Sequence, residues 1–250
     1  MISIVMSYYN RLRQLDFTLS TIAKSTYQDY EIVLVDDFSD HDHDPAILLE
    51  KYPQLPLRII RMAQVVQHRW YCNPCIPYNV GFRQSRGETV IIQNPECCHI
   101  GDILSHCNSN IDEQTYLSYH CWSCTKDDVK QLHQGQELDY IPKPKALWYN
   151  HAQHRPESYH FCTAITRNNL KKINGFDERF ANGFSYDDNE FVQRIRNLQL
   201  NIKFVDQPHV IHQPHPKFLT MGSAVTDNRQ LFYDLKNTGL ITAPNKEPIP

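Results

Sequence analysis

Residues 32–40 read IVLVDDFSD, four branched apolar side chains from Ile32 to Val35 running straight into Asp36 and Asp37. An unbroken apolar run of this kind marks a strand buried on both faces of a parallel sheet, since a half-exposed strand would alternate. Open α/β sheets bind their ligands just beyond the carboxyl ends of such strands. A second run, VIIQNPE from Val90 to Glu96, also stops at polar groups, Asn94 and Glu96. Two polar strand ends of this type point to one shared site.

Working outward, Ile2 to Ser7 reads as a strand, and Asn10 can cap a helix whose Leu12, Leu15, Leu19, Ile22 and Ala23 keep helical spacing. Asp44 followed by Pro45 is a helix-start signal for AILLEKY, and Leu57 to Met62 makes a further strand. A helix near Tyr78 to Ser85 feeds the strand Thr89 to Gln93, and Gly101 to Asn108 reads as helical. Alternating strands and helices imply a mainly parallel sheet, so the first hundred residues have the pattern of a nucleotide-binding α/β half. Beyond it, a strand from Thr115 to Trp122 precedes a polar stretch reaching about Glu157, in which Pro142, Pro144 and Pro156 oppose regular structure. Tyr159 to Thr166 is a strand and Asn168 to Ile173 a short helix. A helix from Asp187 to Leu200 follows, with Phe191, Val192, Ile195 and Leu198 as its buried stripe. Two short apolar runs, Ile202 to Val205 and Val210 to Ile211, lead to a helix over Asp227 to Lys236 and an irregular tail after Gly239.

The 250 residues, 41% hydrophobic, suffice for one large domain or two lobes sharing a core. Lys plus Arg number 25 against 28 Asp plus Glu, so the chain lacks the basic excess that binding to a phosphate backbone exploits, and nucleic acid is not an expected partner. Met1 leads directly into a strand pattern without the features of a secretory signal. No apolar stretch approaches the roughly 18 residues that cross a bilayer. The expected location is the cytoplasm, or the cytosolic face of a membrane through a partner. Eight cysteines in such a chain favour reduced thiols. Cys72 with Cys75 and Cys121 with Cys124 form two C-x-x-C pairs. Together they could hold a structural zinc and organise an interaction domain; otherwise they are buried or surface thiols.

The order of motifs resembles the family 2 glycosyltransferases. SIVMSYYNR is similar to that family's opening strand and its Tyr-Asn end, and IVLVDDFSD to its Val-Asp-Asp-x-Ser segment. YNVGFRQSRGETVIIQNPE is similar to the Asn-x-Gly, Gly-Glu and Asp-x-Asp series. Further on, NGFDERFANGFSYDDNEF resembles the Gly-Phe-Asp-Glu and Gly-Trp-Gly-x-Glu-Asp region shared with family 7 galactosyltransferases. The resemblance spans roughly Ser3 to His215. It implies an α/β, GT-A fold: a single Rossmann-like mixed sheet flanked by helices. It divides one domain into a nucleotide-sugar-binding half, residues 1–110, an acceptor and catalytic half, 111–216, and a C-terminal helix and tail, 217–250.

By the same resemblance the activity is inverting, metal-assisted transfer of a sugar from a nucleotide-diphosphate donor, a UDP-sugar first, to a hydroxyl of a glycan, protein or lipid acceptor. Ser7, Tyr9, Asn10, Asp37, Asn79 and Asn94 would bind the nucleotide sugar. Tyr9 would lie against the base and Asp37 accept a base N–H, an aromatic plane and fixed acceptor that suit a uracil-like ring. Otherwise Tyr9 is a packed strand-end aromatic and Asp36 or Asp37 starts a turn. Asn94, Pro95 and Glu96 stand where the family has Asp-x-Asp, so only Glu96 offers a charged oxygen ligand for Mn²⁺ or Mg²⁺. His212 is the second candidate ligand, with His215 and His99 as competitors, and imidazole beside oxygen suits Mn²⁺. Asp188 matches the general base, with Asp187 beside it for acceptor hydroxyls; paired carboxylates can raise one pKa into a useful range. A rival reading, motivated by the missing first aspartate, is a non-catalytic sugar-nucleotide or glycan-binding module.

Overall fold

In strand β1 (Ile2–Tyr8) successive side chains serve opposite sides of one sheet, Ile4 and Met6 joining one apolar cluster and Val5 another. Strand β2 (Tyr30–Asp36) repeats this division with Ile32 and Leu34 against Val33 and Val35. Both faces are therefore covered, which is why these strands lack a polar alternation. The computed structural model describes residues 1–134, 147–215 and 222–250.

Helix α1 (Leu12–Ile22) follows β1, and α2 (Ile47–Lys51) precedes β3 (Leu57–Arg61). Then come α3 (Cys75–Gln84), β4 (Thr89–Gln93), β5 (Cys97–Ile100) and α4 (Ile103–Asn110). The remainder comprises β6 (Thr115–Ser123), α5 (Lys126–His133), β7 (Trp148–Asn150), β8 (Cys162–Thr166), α6 (Arg167–Ile173), α7 (Asp187–Asn197), β9 (Asn201–His212) and α8 (Gly222–Leu235). Among the described residues the strands form one nine-stranded sheet in the order β3-β2-β1-β4-β8-β6-β9-β5, with β7 paired to β6. The first four strands are parallel, β8 runs antiparallel to β4 and β6, and β6 and β9 are parallel again. The sheet is thus mixed. Residues of α1 and α4 pack on one face, and those of α3, α6 and α7 on the other.

Several boundaries differ from the sequence reading. Asn10 does not cap α1: its backbone is left-handed at φ 50° and its side chain is tied to Asp40, so Arg11 takes the capping position. The two apolar runs after α7 are one 12-residue strand, β9, whose pairing with β6 jumps from Tyr119–Val205 to Cys121–Val210. That jump breaks the alternation which would have joined the runs. Strands β5 and β7 and helix α5 were not anticipated. Pro142 and Pro144 lie outside the described residues. No described helix is long and apolar enough to cross a membrane.

Candidate active site

The parallel register sets Tyr8 of β1 level with Asp36 of β2, so the residues just after both strands emerge side by side. There Ser7, Tyr9, Arg11, Asp37, Asn94 and Pro95, from the ends of β1, β2 and β4, line a cavity of about 200 Å³. Arg69, Cys72 and Pro74 from the segment after β3, Tyr78 of α3, and His160 ahead of β8 complete it. Asp37 is buried, accepts from Tyr71 Oη at 2.6 Å and pairs with Arg69 at 3.0 Å. Burial raises its pKa against the opposing pull of Tyr71 and Arg69. The same guanidinium lies 5.0 Å over the Tyr9 ring, joining the aromatic and the carboxylate in one assembly.

Glu96, 1% exposed, stands beyond Asn94 and Pro95. Arg11 Nη1 donates to both of its oxygens, each at 2.9 Å. His212 Nε2 lies 3.3 Å and His215 Nε2 3.5 Å from Glu96 Oε1. Burial alone would raise the Glu96 pKa, but Arg11, His212 and His215 hold it well below the usual carboxylate range. The ligating atoms of Glu96, His212 and His215 fall within 4.8 Å of one another, a carboxylate and two imidazoles of the type that holds Mn²⁺. Arg11 already grips both oxygens of the only carboxylate in this trio. With the guanidinium in place the trio does not fit a divalent ion, because the ion would sit against a fixed positive charge.

At the cavity lining His160 Nδ1 and Asp188 Oδ1 form a very close hydrogen bond, and His160 N donates to the same oxygen. Burial alone would lower the His160 pKa, but Asp188 and then Asp187 outweigh it, and the net shift is upward. Asp187 and Asp188 are the first two residues of α7. Asp187 is buried, and burial followed by the charge of Asp188 raises its pKa to about 6. Within α7, buried Arg194 holds both oxygens of Glu190 at 2.6 and 2.9 Å, and its Nη1 donates to Ile173 O, which ties the helix to the end of α6.

Of the residues singled out in the sequence, Ser7, Tyr9, Asp37 and Asn94 meet at the cavity. Glu96 and His212 adjoin it through Arg11, and Asp187 and Asp188 through His160. Asn79 is not brought there. Fully buried, it accepts from Phe176 N at 2.8 Å and donates to Phe176 O at 2.8 Å, fastening α3 to the Gly175–Phe176 turn. A Cβ on Gly175 would lie 2.3 Å from Asn79 Oδ1, so the Asn-x-Gly motif is matched by a glycine far along the chain. Asn10 faces Asp40 instead of the cavity, and buried His99 binds Gln93, its pKa lowered to about 3 by burial. His215, by contrast, joins Glu96. All eight cysteines are free, and no group of three or more candidate ligands among the described residues contains one. Sequence reasoning gave no role to Arg11, although it closes the SIVMSYYNR stretch, nor to Arg69 and His160, which no motif marked.

The profile of glycosyl transferase family 2 matches residues 3–174, more than half the chain. The chain belongs to glycosyltransferase family 2. The profile described as the N-terminal domain of galactosyltransferase matches residues 151–216, the part holding His160, Asp187, Asp188 and His212. No curated protein sequence matches significantly. Among solved structures, S. aureus TarS 1–349 in complex with UDP is similar at TM-score 0.66 and 17% identity, over 98% of this chain and 67% of that one. GalNAc-T7 with UDP, GalNAc and Mn²⁺ is similar at TM-score 0.68 and 16% identity, over 94% of this chain and 48% of that one. The mannosyltransferase PcManGT of Pyrobaculum calidifontis, in complex with GDP-Man and Mn²⁺, gives TM-score 0.58 and 16% identity, over 84% and 56% respectively. The chain spans 37 to 67% of the TarS chains it matches. The shared architecture is the GT-A fold.

Proposed function

We propose that this domain transfers a sugar, with inversion, from a uridine-diphosphate donor to an acceptor hydroxyl, with Asp188 as general base. The observation that carries the reading is the convergence on one cavity of three strand ends and of His160, whose ring holds Asp188. Tyr9, Arg69 and Asp37 offer a stacking face and a carboxylate acceptor to a base, and TarS and GalNAc-T7 hold UDP in the same fold. The acceptor oxygen attacks the anomeric carbon from the face opposite the diphosphate. Its proton passes to Asp188, and the bonding electrons of the broken glycosyl–phosphate bond leave with UDP. Asp188 Oδ1 is held by His160, which leaves Oδ2 to take the proton. Asp187 would accept from acceptor hydroxyls. If Arg11 withdraws from Glu96, then Glu96, His212 and His215 would hold Mn²⁺ or Mg²⁺. Bound there, such an ion would supply positive charge for the diphosphate.

A panel of nucleotide sugars scored for released nucleoside diphosphate tests the assignment. Asp188→Asn should lower turnover by about 100-fold or more while leaving UDP affinity within a few-fold. Equal turnover in that variant would remove Asp188 from the role. Binding by the unaltered protein, with neither transfer nor hydrolysis, would favour the sugar-nucleotide-binding module instead.

A further inference from the structure

We propose that Arg11 is the cationic group that receives the donor's diphosphate, in the place where related sites use a divalent ion; this rests on the donor reading of the cavity. Arg11 follows the end of β1 and lines the cavity together with Ser7, Tyr9, Asn94 and Pro95. Its hold on Glu96 uses Nη1 alone. A guanidinium carries five N–H donors in a planar fork that matches two phosphate oxygens, so Nε and Nη2 remain to meet the donor. Glu96 is then a positioning residue that aims this fork. It is itself fixed by burial and by His212 and His215.

The charges agree with this division of labour. An Asp-x-Asp segment would bring two carboxylates to the diphosphate, and an ion bound by them would restore positive charge. Here Asn94 and Pro95 leave one carboxylate, and Arg11 neutralises it. Arg69, the other guanidinium lining the cavity, is committed to Asp37. A divalent ion and Arg11 compete for the same two oxygens of Glu96, so the site holds one or the other.

Titration calorimetry with UDP, in EDTA and in excess Mn²⁺, tests the proposal. The unaltered protein should bind UDP within about threefold under both conditions, because a guanidinium supplies the charge without an ion. Arg11→Met should weaken binding in EDTA by about tenfold or more, the loss of a charge-assisted bidentate contact. Mn²⁺ should then restore much of it by occupying the vacated Glu96, His212 and His215. Arg11→Lys should retain part of the affinity in EDTA. The double variant Arg11→Met with Glu96→Gln, which leaves no unpaired buried carboxylate, should fold and bind weakly under both conditions. An unaltered protein that binds UDP only with Mn²⁺, or an Arg11→Met variant that matches it in EDTA, overturns the proposal. Absence of any UDP binding by the folded, unaltered protein overturns the donor reading and this inference together, whereas loss of turnover with metal-independent UDP binding intact strikes only the catalytic assignment.

Discussion

Asp187 and Asp188 are neighbours with different surroundings, the first buried at 6% exposure and the second held by His160 at the cavity wall. The Asp187 carboxyl is shifted from 3.8 to about 6, by burial first and by Asp188 second. An acid whose folded pKa lies above its unfolded value favours the folded state in its protonated form. That contribution is fully present below the unfolded pKa and is lost as pH rises through about 6. At neutral pH the ionised group is therefore a cost, and Asp187→Asn should stabilise the protein at pH 7.5 by on the order of 1–3 kcal/mol. An amide oxygen can still accept from Asn73. The gain should vanish near pH ~3.5, where Asp187 is protonated in both states. Urea unfolding of both proteins at the two pH values measures this, and a variant equally destabilised at both would show that packing, not charge, governs the position. Such environments are not readable from spacing. Arg11 finds its partner 85 residues away, so nothing near Tyr9 and Asn10 signalled the pairing, whereas Asp37 and Glu96 were legible because each follows an apolar strand closely.

At the next scale, the approach to α7 departs from the Gly-Trp-Gly pattern that the sequence resembles, with Ser185 at the third position. Ser185 and Tyr186 both adopt left-handed backbone, φ 65° and 66°, the region a glycine enters freely. A side chain there costs roughly 1–2 kcal/mol per residue. Buried Asn228 of α8 stabilises the turn by donating to Phe180 O at 3.1 Å and Ser185 O at 2.9 Å, and the Tyr186 ring packs 5.7 Å from Phe232. Ser185→Gly should therefore raise stability by about 0.5–1 kcal/mol, the relief of the left-handed strain less the entropy a glycine loses on folding. The urea midpoint reads this directly, and a lower midpoint would mean that the serine side chain contributes more than its strain. Helix α7 itself was legible from its 3.6-residue stripe, and β1, β2 and β4 from runs buried on both faces. Strands β5 and β7, four and three residues long, carry too few side chains to show a period, and β9 was split because residues 206–209 interrupt its pairing with β6.

Over the whole molecule, one sheet joins residues that the chain presents far apart: β8 beside β4 brings His160 to the cavity made by β1, β2 and β4. The parallel part of the sheet followed from alternating strands and helices, but the antiparallel insertion of β8 did not, since its partner is chosen by packing across the sequence. The tail after Gly239 was expected to be irregular. It has no helix or strand, yet it is docked. Ala243 N donates to Ile173 O at 2.9 Å, and Asn245 Nδ2 donates to Asn174 O and Phe176 O, both at 2.7 Å. Ile249, 5% exposed, packs in the cluster containing Phe176, and its N–H donates to Asn174 Oδ1 at 3.0 Å. Phe176 in turn contacts Tyr78 and His160, with ring centroids 5.3 Å from each, so the tail supports the wall behind the proposed base. Burying one isoleucine is worth about 1.5–3 kcal/mol. Each hydrogen bond adds about 0.5–1.5 kcal/mol net, against the entropy of ordering the segment. Deleting residues 240–250 should therefore lower stability by roughly 2–4 kcal/mol. If the tail acts by bracing Phe176, turnover should fall along with stability, because Phe176 contacts Tyr78 and His160 of the cavity wall. Urea unfolding and a transfer assay on the shortened protein separate these effects; unchanged stability would mean that the docked tail contributes little beyond its own ordering.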